Sequence, residues 1–520
     1  MKKIVLTAAL AVAAVLPSAA QDTYEGAKLM TTDLNGTARY VGLGGALEAL
    51  GAEISAIGTN PAAIGLFRHS TFQTSLSVVS QQDAVKFADV GKTHVSFDQA
   101  GFVYSTRMDR QSFLNIAFNY HKSRNFNYIL SADDNLNNAS QNKNSYMKLY
   151  NGLLYNTHRD GTINFDADYV TCNQLDDIFA KNLFYAYDNQ TAYYYDATSY
   201  DFDRAHEGYI GAYDLNHSGN INDRVYLGLT VGVEDVHYKH ISDYTEQIAT
   251  PNNIGLQRLN VYDERRITGS GYNIKFGAIF RPVEYVPFLI GASISTPTWY
   301  RLTTENYTEV TDFNNTSFSE DVYDYKVYTP WKFGLNLGYT DGKQLALGAS
   351  IDYADYGTTD TRINDGGSYD FYDYYESSSS DKHMNRHTKQ TLKGVCTLKV
   401  GGEFKVIPEL ALRAGYNYVS AMYDKDGFKD GTVNSPGSYY SSSTDFTNWK
   451  DTNRLTFGIG WRIEKNWNFD LAYQYSVTKG DFAPFPSYED NNYSDWDNIV
   501  RFTGVENKRH QILCSVGYTF

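Results

Sequence analysis

The sequence predicts an all-β protein, a transmembrane antiparallel β-barrel of about fourteen strands. Three observations predict it: an N-terminal segment typical of export signals, a high aromatic content, and runs with apolar residues at every second position that recur between Phe72 and Phe520. Aromatic residues make up 15% of the chain, including 45 Tyr, and such side chains form belts at both interfaces of membrane barrels. Soluble β-sandwiches also alternate. The connections favour the barrel, because short turns alternate with long loops rich in Asp, Asn, Ser and Tyr.

The first twenty residues predict a cleaved signal peptide, residues 1–20. Lys2 and Lys3 precede an apolar run from Ile4 to Leu16, and small residues at Ser18-Ala19-Ala20 suit signal peptidase. The apolar run is much shorter than the roughly 20 residues that a membrane-spanning helix needs. We therefore expect cleavage after Ala20.

The strands of the predicted barrel, residues 71–520, are clearest between Trp331 and Tyr353. Apolar side chains alternate there with small and polar ones, and Asp341-Gly342 forms a tight hairpin turn. Repeats of this unit give the predicted strands 71–80, 95–107, 111–122, 206–218, 223–237, 264–281, 287–301, 325–340, 343–356, 388–406, 409–423, 452–463, 466–478 and 506–520. The longest predicted extracellular loop spans about 123–205, with room for one hidden strand pair.

The final strand ends the chain on Phe520. A closed barrel pairs its last strand with its first, and a terminal Phe is similar to the signal that the outer-membrane assembly machinery reads. We expect a monomer in contact with outer-membrane lipid and lipopolysaccharide, with both chain termini on the periplasmic side.

Composition and motifs argue against other classes of function. The formal net charge of −15 argues against nucleic-acid binding. The three Cys are far apart, with neither zinc-site nor disulfide spacing. The Ser-x-x-Lys spacing at Ser145 and Lys148 lacks its companion motifs, and the calcium-like stretch from Asp214 to Val225 lacks the final Glu. We therefore predict no catalytic residues, metal or cofactor, and no enzyme activity.

Pro297 and Pro330 lie near the outer ends of adjacent predicted strands. Each Pro removes a hydrogen bond from the strand ladder. Both residues are therefore candidates for simple strand termination at the membrane interface, or for a weak point in the wall.

One segment carries a specific family resemblance. The stretch "GLGGALEALGAEISAIGTNPAAIGLF", from Gly42 to Phe67, resembles the N-terminal hatch of the FadL/TodX-type outer-membrane transporters of long-chain fatty acids and aromatic hydrocarbons. The resemblance implies that residues 21–70 form a hatch that plugs the barrel lumen. It places the hatch and ligand path at Asn60, Pro61, Ala62, Ile64 and Phe67. A periplasmic tail, the alternative, would be more polar.

The resemblance implies passive transport of long-chain fatty acids or similar lipophilic compounds across the bacterial outer membrane. The ligand is captured by extracellular loops, binds in the lumen beside the hatch, and leaves sideways through the wall. In the family a kinked third strand opens the wall, whereas "QSFLNIAFNYHK" here contains neither Gly nor Pro.

Loop capture is assigned to a predicted helix in "TCNQLDDIFAKNLFYAY". Its apolar residues recur at helical spacing: Leu175, Ile178, Phe179 and Leu183. Such a helix would either receive ligand or cover the barrel mouth. Two alternative functions remain open for the whole chain. One is a structural or adhesive barrel that acts through its loops, and the other is a lipid-modifying barrel enzyme.

Overall fold

The computed structural model describes residues 22–150, 174–182, 194–248, 257–283, 286–312, 315–370, 373–433, 435–439, 443–489 and 497–520. The predicted signal peptide lies outside the described residues. One sheet contains nineteen strand segments within the described part of the chain.

The strand segments are β1 (Thr71–Gln81), β2 (Thr93–Arg107), β3 (Phe113–Asn125), β4 (Tyr128–Ala139), β5 (Ala197–Ile221), β6 (Val225–Ile248), β7 (Gln257–Phe280), β8 (Phe288–Ser295), β9 (Trp299–Thr311), β10 (Thr316–Tyr328), β11 (Lys332–Thr340), β12 (Leu345–Asp355), β13 (Asp360–Asp370), β14 (Asp373–Ser380), β15 (Gly394–Ile407), β16 (Leu410–Val419), β17 (Phe446–Arg462), β18 (Trp467–Ala483) and β19 (Thr503–Thr519).

Fourteen antiparallel strands form the wall, because five of them are each split into two segments: β3/β4, β8/β9, β10/β11, β12/β13 and β14/β15. The wall closes where β1 pairs with β19 over eleven residues, from Thr71 opposite Thr519 to Gln81 opposite Arg509. The predicted fold class, an antiparallel barrel of about fourteen strands, is confirmed.

The helices are α1 (Thr23–Met30), α2 (Ala38–Gly42), α3 (Gln141–Tyr150), α4 (Gln174–Asn182), α5 (Lys382–Thr391) and α6 (Pro436–Tyr439). Short 3-10 turns occupy Ile54–Gly58, Pro61–Leu66 and Tyr356–Thr358. The predicted strand 388–406 is wrong at its start. Asp381 caps α5 there by accepting a hydrogen bond from the backbone NH of Met384, and β15 begins only at Gly394.

Side chains alternate across the wall as the sequence predicts. On β11, Leu335 is 62% exposed whereas its neighbour Asn336 is 1% exposed. The exposed apolar residues of neighbouring strands form an outer belt, for example Leu227 to Val233 on β6 and Leu455 to Trp461 on β17. Polar residues face inward and the apolar belt faces outward, which is the arrangement of a barrel that lies in a membrane.

Three strands extend far beyond this belt. The strands β5, β6 and β7 contain 24 or 25 residues each, whereas roughly 9–11 cross a bilayer. Residues 128–139 and 197–205, within the predicted long loop, are strand and pair with each other. They lengthen two wall strands rather than adding a new pair.

Residues 22–70, which we call the N-terminal segment, run through the barrel interior. α1 lies at the end of the barrel opposite Phe520, which we call the loop end. There the Tyr24 hydroxyl donates a hydrogen bond to Asn448, and the Tyr24 ring stacks on Tyr423. The segment then descends to Phe67, just before β1. The expectation that both termini lie on the periplasmic side is therefore wrong for the N-terminal segment, because α1 is buried near the loop end.

Candidate functional site

The Asn-Pro-Ala motif lies against the wall at the bottom of the N-terminal segment. The Asn60 side chain accepts a hydrogen bond from the Ala62 backbone NH at 3.1 Å and donates to Oδ1 of Asn336 at 2.7 Å. Pro61 occupies the first position of a 3-10 turn, where its missing NH costs nothing. The motif therefore both shapes this turn and attaches it to β11.

Ile64 and Phe67 pack into a small apolar cluster between the N-terminal segment and the wall. They contact Ile54 and Ile57 from the segment and Val103 and Ala117 from β2 and β3. Ala62 is fully buried in a second cluster with Tyr226 and Ile279. The predicted hatch residues thus contact the wall, and their role in a ligand path stays a prediction.

Wall glycines allow this close approach. A Cβ atom on Gly228 would lie 2.4 Å from the carbonyl carbon and oxygen of Pro61, and one on Gly277 would lie 2.1 Å from Oδ1 of Asn60. Neither position has room for a methyl group. Glycine at these two wall positions is therefore what allows the motif to lie flat against the strands.

Replacing Gly228 with Ala should displace the Asn-Pro-Ala turn and leave the barrel inserted. Overpacking of this kind costs about 1–3 kcal/mol, and the cost falls on the contact between segment and wall. We expect faster protease cleavage within residues 50–67 at unchanged heat-modifiable gel mobility. Gly504→Ala is the matched control, because a Cβ atom there meets nothing within 4 Å. Equal cleavage in both variants would contradict the prediction.

Buried ion pairs fix the middle of the N-terminal segment. Glu48 pairs with Lys399 of β15 and accepts a hydrogen bond from Asn336 at 2.7 Å. Arg39 contacts Glu403 at 3.2 Å, and Glu403 also pairs with Arg413 at 2.7 Å. Unpaired charges at these buried positions would be costly, so the segment and the lumen wall depend on each other.

A cavity of 340 Å³ lies between the N-terminal segment and the wall. Its size falls at the lower end of typical small-molecule sites, about 300–1,000 Å³. One part of the lining is apolar and aromatic: Phe126, Tyr128, Val419, Met422, Tyr423 and Trp449. Another part is charged and includes Asp33, Arg124, Arg454 and Arg509. The cavity is therefore suited to a molecule with an apolar body and a polar end.

The wall lacks a strand ladder directly beside this cavity. β2 pairs with β3 only from Gln99 to Arg107, so residues 93–97 pair with β1 alone, and Asp98 lies at an irregularity in that ladder. Across the gap, residues 122–139 pair only with β5. We call this interval, between residues 93–98 and 122–128, the wall gap. Ser123, Arg124, Asn125, Phe126 and Tyr128 of its edge also line the cavity.

Side chains bridge the wall gap in place of backbone hydrogen bonds. Lys122 donates to Ser96 at 2.7 Å, and the side chains of Asn125 and His94 are in contact at 3.0 Å. Asn35 of the N-terminal segment donates to both Asp98 and the Lys122 carbonyl, at 3.1 and 3.0 Å. Rotation of a few side chains, with movement of the segment, would open this interval without breaking a ladder.

The third wall strand is thus interrupted although it contains neither Gly nor Pro. Asn125 accepts a hydrogen bond from the Asn127 backbone NH, and Asn127 accepts one from the Gly208 NH. Gly208 on the neighbouring strand has φ +105°, and a Cβ atom there would lie 2.0 Å from the His237 carbonyl. The break is therefore set by asparagine turns and by a glycine on the facing strand.

Pro297 and Pro330 lie at two further interruptions, between β8 and β9 and between β10 and β11. Backbone hydrogen bonds still connect neighbouring strands at both interruptions. The Thr329 NH donates to the Thr298 carbonyl at 3.1 Å, and the Thr296 NH donates to Ile274 at 2.9 Å. Thr296 and Thr298 also line the cavity. A weak point at the two prolines stays a prediction. The wall gap is less firmly closed than these two interruptions, because side chains rather than backbone-to-backbone hydrogen bonds bridge it.

Two helices, α3 and α4, form what we call the loop layer at the loop end of the barrel. Leu175, Ile178 and Phe179 are at most 3% exposed and pack in a cluster with Tyr200, Phe202, Phe482 and Phe485. The predicted helix is confirmed, and these side chains form its packed face. Leu183 lies outside the described residues. Ligand capture by this helix stays a prediction, and a cover over the lumen fits the packing.

Glu246 holds the start of α3 to β6, well above the apolar belt. Its carboxylate accepts hydrogen bonds from the Gln141 NH at 2.9 Å and from the Tyr244 hydroxyl at 2.8 Å. Burial raises the pKa of Glu246 from 4.5 to about 7, although these hydrogen bonds act in the opposite direction. The ionised form is therefore less stable in the folded loop layer than in water.

The loop layer should lose stability as the pH rises through about 7. A raised folded-state pKa gives stability that is complete below 4.5 and lost above the folded value. We expect hydrogen exchange in residues 141–150 to be slower at pH 5 than at pH 8, after correction for intrinsic rates, with Glu246→Gln removing the difference. Glu264→Gln, at a half-exposed site on β7, should retain it. A pH-independent wild type would contradict this prediction.

No protein-family model and no curated protein sequence matches the chain. Among solved structures, it is similar to the toluene transporter TbuX of Ralstonia pickettii, with 11% identity over 94% of this chain and 99% of that one, at a TM-score of 0.49. The toluene transporter TodX of P. putida matches with 11% identity, the same coverage and a TM-score of 0.47. A Pseudomonas aeruginosa FadL homologue matches with 11% identity over 97% and 100%, at a TM-score of 0.44. At this identity the likeness concerns the fold, and function has to be inferred from this chain's own side chains.

Proposed function

We propose that the protein carries hydrophobic small molecules passively across the bacterial outer membrane. The observation that supports this most is the 340 Å³ cavity, partly aromatic in lining, that lies directly against the wall gap. A water-insoluble molecule gains little from an aqueous pore. A cavity with a side exit lets it pass from the lumen into the apolar phase of the membrane.

In this proposal the N-terminal segment is a hatch that blocks the lumen, and the loop layer covers the end of the barrel opposite Phe520. A ligand enters through the loop layer, rests in the cavity, and leaves sideways between residues 93–98 and 122–128. The apolar belt faces outer-membrane lipid and lipopolysaccharide, and Phe520 serves as the signal for assembly. The Ser145 hydroxyl and the Lys148 ammonium both donate hydrogen bonds to Asp176, at 2.6 and 2.7 Å, and none of these three residues lines the cavity, so their cluster does not favour the catalytic alternative. The adhesive alternative gives no use for the cavity.

Reconstitution into liposomes tests the proposal. We expect saturable transfer of labelled oleate into vesicles that carry the protein, with no swelling in small sugars. Protein inserted with its strands intact but inactive in oleate transfer would contradict the proposal. Rapid sugar-driven swelling would indicate a general pore instead.

A further inference from the structure

Three arginines meet at the cavity with a single carboxylate between them. Arg124, Arg454 and Arg509, from β3, β17 and β19, form what we call the arginine triad. Asp33 of the N-terminal segment lies 3.3, 3.8 and 3.9 Å from them. It is the one carboxylate within 4 Å of these guanidinium groups in the part of the chain that the structure describes. All four side chains line the cavity.

Asp33 neither makes close hydrogen bonds with all three arginines nor balances their charge. All three distances exceed the usual hydrogen-bond range of about 2.7–3.2 Å, and only the contact with Arg124, at 3.3 Å, comes close to it. The Arg124 Nε atom is buried without a hydrogen-bond partner. The three arginines and the one aspartate together carry two net positive charges. Elsewhere along the lining the charges pair more closely, as for Lys275 with Asp214 at 2.9 Å.

The excess charge and the geometry favour a phosphate-like group over a carboxylate. Guanidinium groups bind phosphate and carboxylate oxygens through paired N–H donors. A carboxylate is planar and singly charged, whereas a phosphate monoester has three acceptor oxygens and carries up to two charges near neutral pH. Three guanidinium groups that converge from separate strands match the second kind of headgroup.

We propose that the arginine triad binds the dianionic headgroup of an amphiphilic ligand, of the phosphate monoester class, in competition with the Asp33 carboxylate. This inference rests on the proposed function and specifies its substrate. The apolar chain of the ligand lies along Tyr128, Tyr423 and Trp449. The headgroup displaces Asp33, whose backbone NH is bonded to the Ser123 carbonyl at 2.8 Å at the edge of the wall gap.

The test compares three ligands with the same twelve-carbon chain: dodecyl phosphate, dodecanoate and dodecanol. Equilibrium binding is measured on the full-length mature protein in amphipols. We expect dodecyl phosphate to bind about tenfold or more tightly than dodecanol, with dodecanoate between them. Charged hydrogen bonds contribute about 1.5–3 kcal/mol each, so Arg454→Gln or Arg509→Gln should weaken dodecyl phosphate by about 10- to 100-fold with dodecanol unchanged.

Asp33→Asn should change the affinity for dodecyl phosphate in the opposite direction to the arginine variants. Removing the competing carboxylate should tighten dodecyl phosphate binding, whereas a cluster that served only to anchor the N-terminal segment would gain no affinity. Arg266→Gln, an exposed charge change on the outer face of β7, should have no effect. Equal affinity for the three ligands would overturn this inference and leave the proposed function standing. Failure of all three to bind would overturn both.

Discussion

Deleting residues Thr23 to Leu66 should convert the protein from a closed carrier into a leaky channel. The wall closes by strand pairing that does not involve the N-terminal segment, so the barrel should still insert. The lumen would then contain only wall side chains and water. The charged groups that the segment covers, such as Lys399 and Arg413, would be solvated rather than stranded in apolar surroundings.

The expected result is a rise in single-channel conductance from near zero to a stable open level, together with loss of saturable oleate transfer. Heat-modifiable gel mobility verifies that the deleted protein is folded. The double variant Asn60→Ala with Pro61→Ala should give a milder leak, because only the turn is loosened. If the deletion changes neither conductance nor transfer, the segment does not act as a hatch.

Covalent closure of the wall gap should stop transfer without affecting ligand binding. His94 and Asn125 face each other across the gap, with their side-chain nitrogens 3.0 Å apart. Cysteines at both positions, joined by a bifunctional methanethiosulfonate reagent, would fix β2 to the third wall strand. The natural Cys172, Cys396 and Cys514 are first replaced by Ser. We expect oleate transfer to fall at least tenfold (about 1.4 kcal/mol) and to return on reduction.

A matched pair tests whether the location of the bridge matters. Ser80 and Thr93 also face each other, with their hydroxyl oxygens 2.7 Å apart, but their strands are already joined by a ladder. Cross-linking cysteines at those two positions should leave transfer intact. An equal loss of transfer in both pairs, or in neither, would argue against an exit through the wall gap.

The barrel was predictable because its signal is local and repeated. On β11 and β17 every second residue faces lipid, so the period of two is readable without knowing which strands pair. Above the belt the period of two continues on β5 with its polarity reversed, because the apolar side chains there point inward. β5 there has Asp201 and Asp203 beside Tyr200 and Phe202, because one face meets water rather than hydrocarbon. Because Asp and Asn are frequent in these upper extensions, the sequence alone predicts a loop there.

The candidate site was predictable only where one short motif carries it. The sequence alone identifies Asn60-Pro61-Ala62, but it does not identify the wall glycines that receive this motif. The wall gap depends on Asn125 and Asn127 acting with Gly208, which is remote in sequence. The arginine triad depends on three strands that meet only in the folded barrel. The usable signal in such cases is a non-proline turn residue within a predicted strand.

Photo-cross-linking tests the proposed route most directly. A diazirine-bearing alkyl probe is irradiated during transfer, and its adducts are mapped by mass spectrometry. The account predicts adducts on the cavity lining and on both edges of the wall gap, residues 93–98 and 122–128, with fewer adducts at these edges when the gap is cross-linked. Adducts at residues 296–298 and 329–331 with none at the wall gap would contradict it.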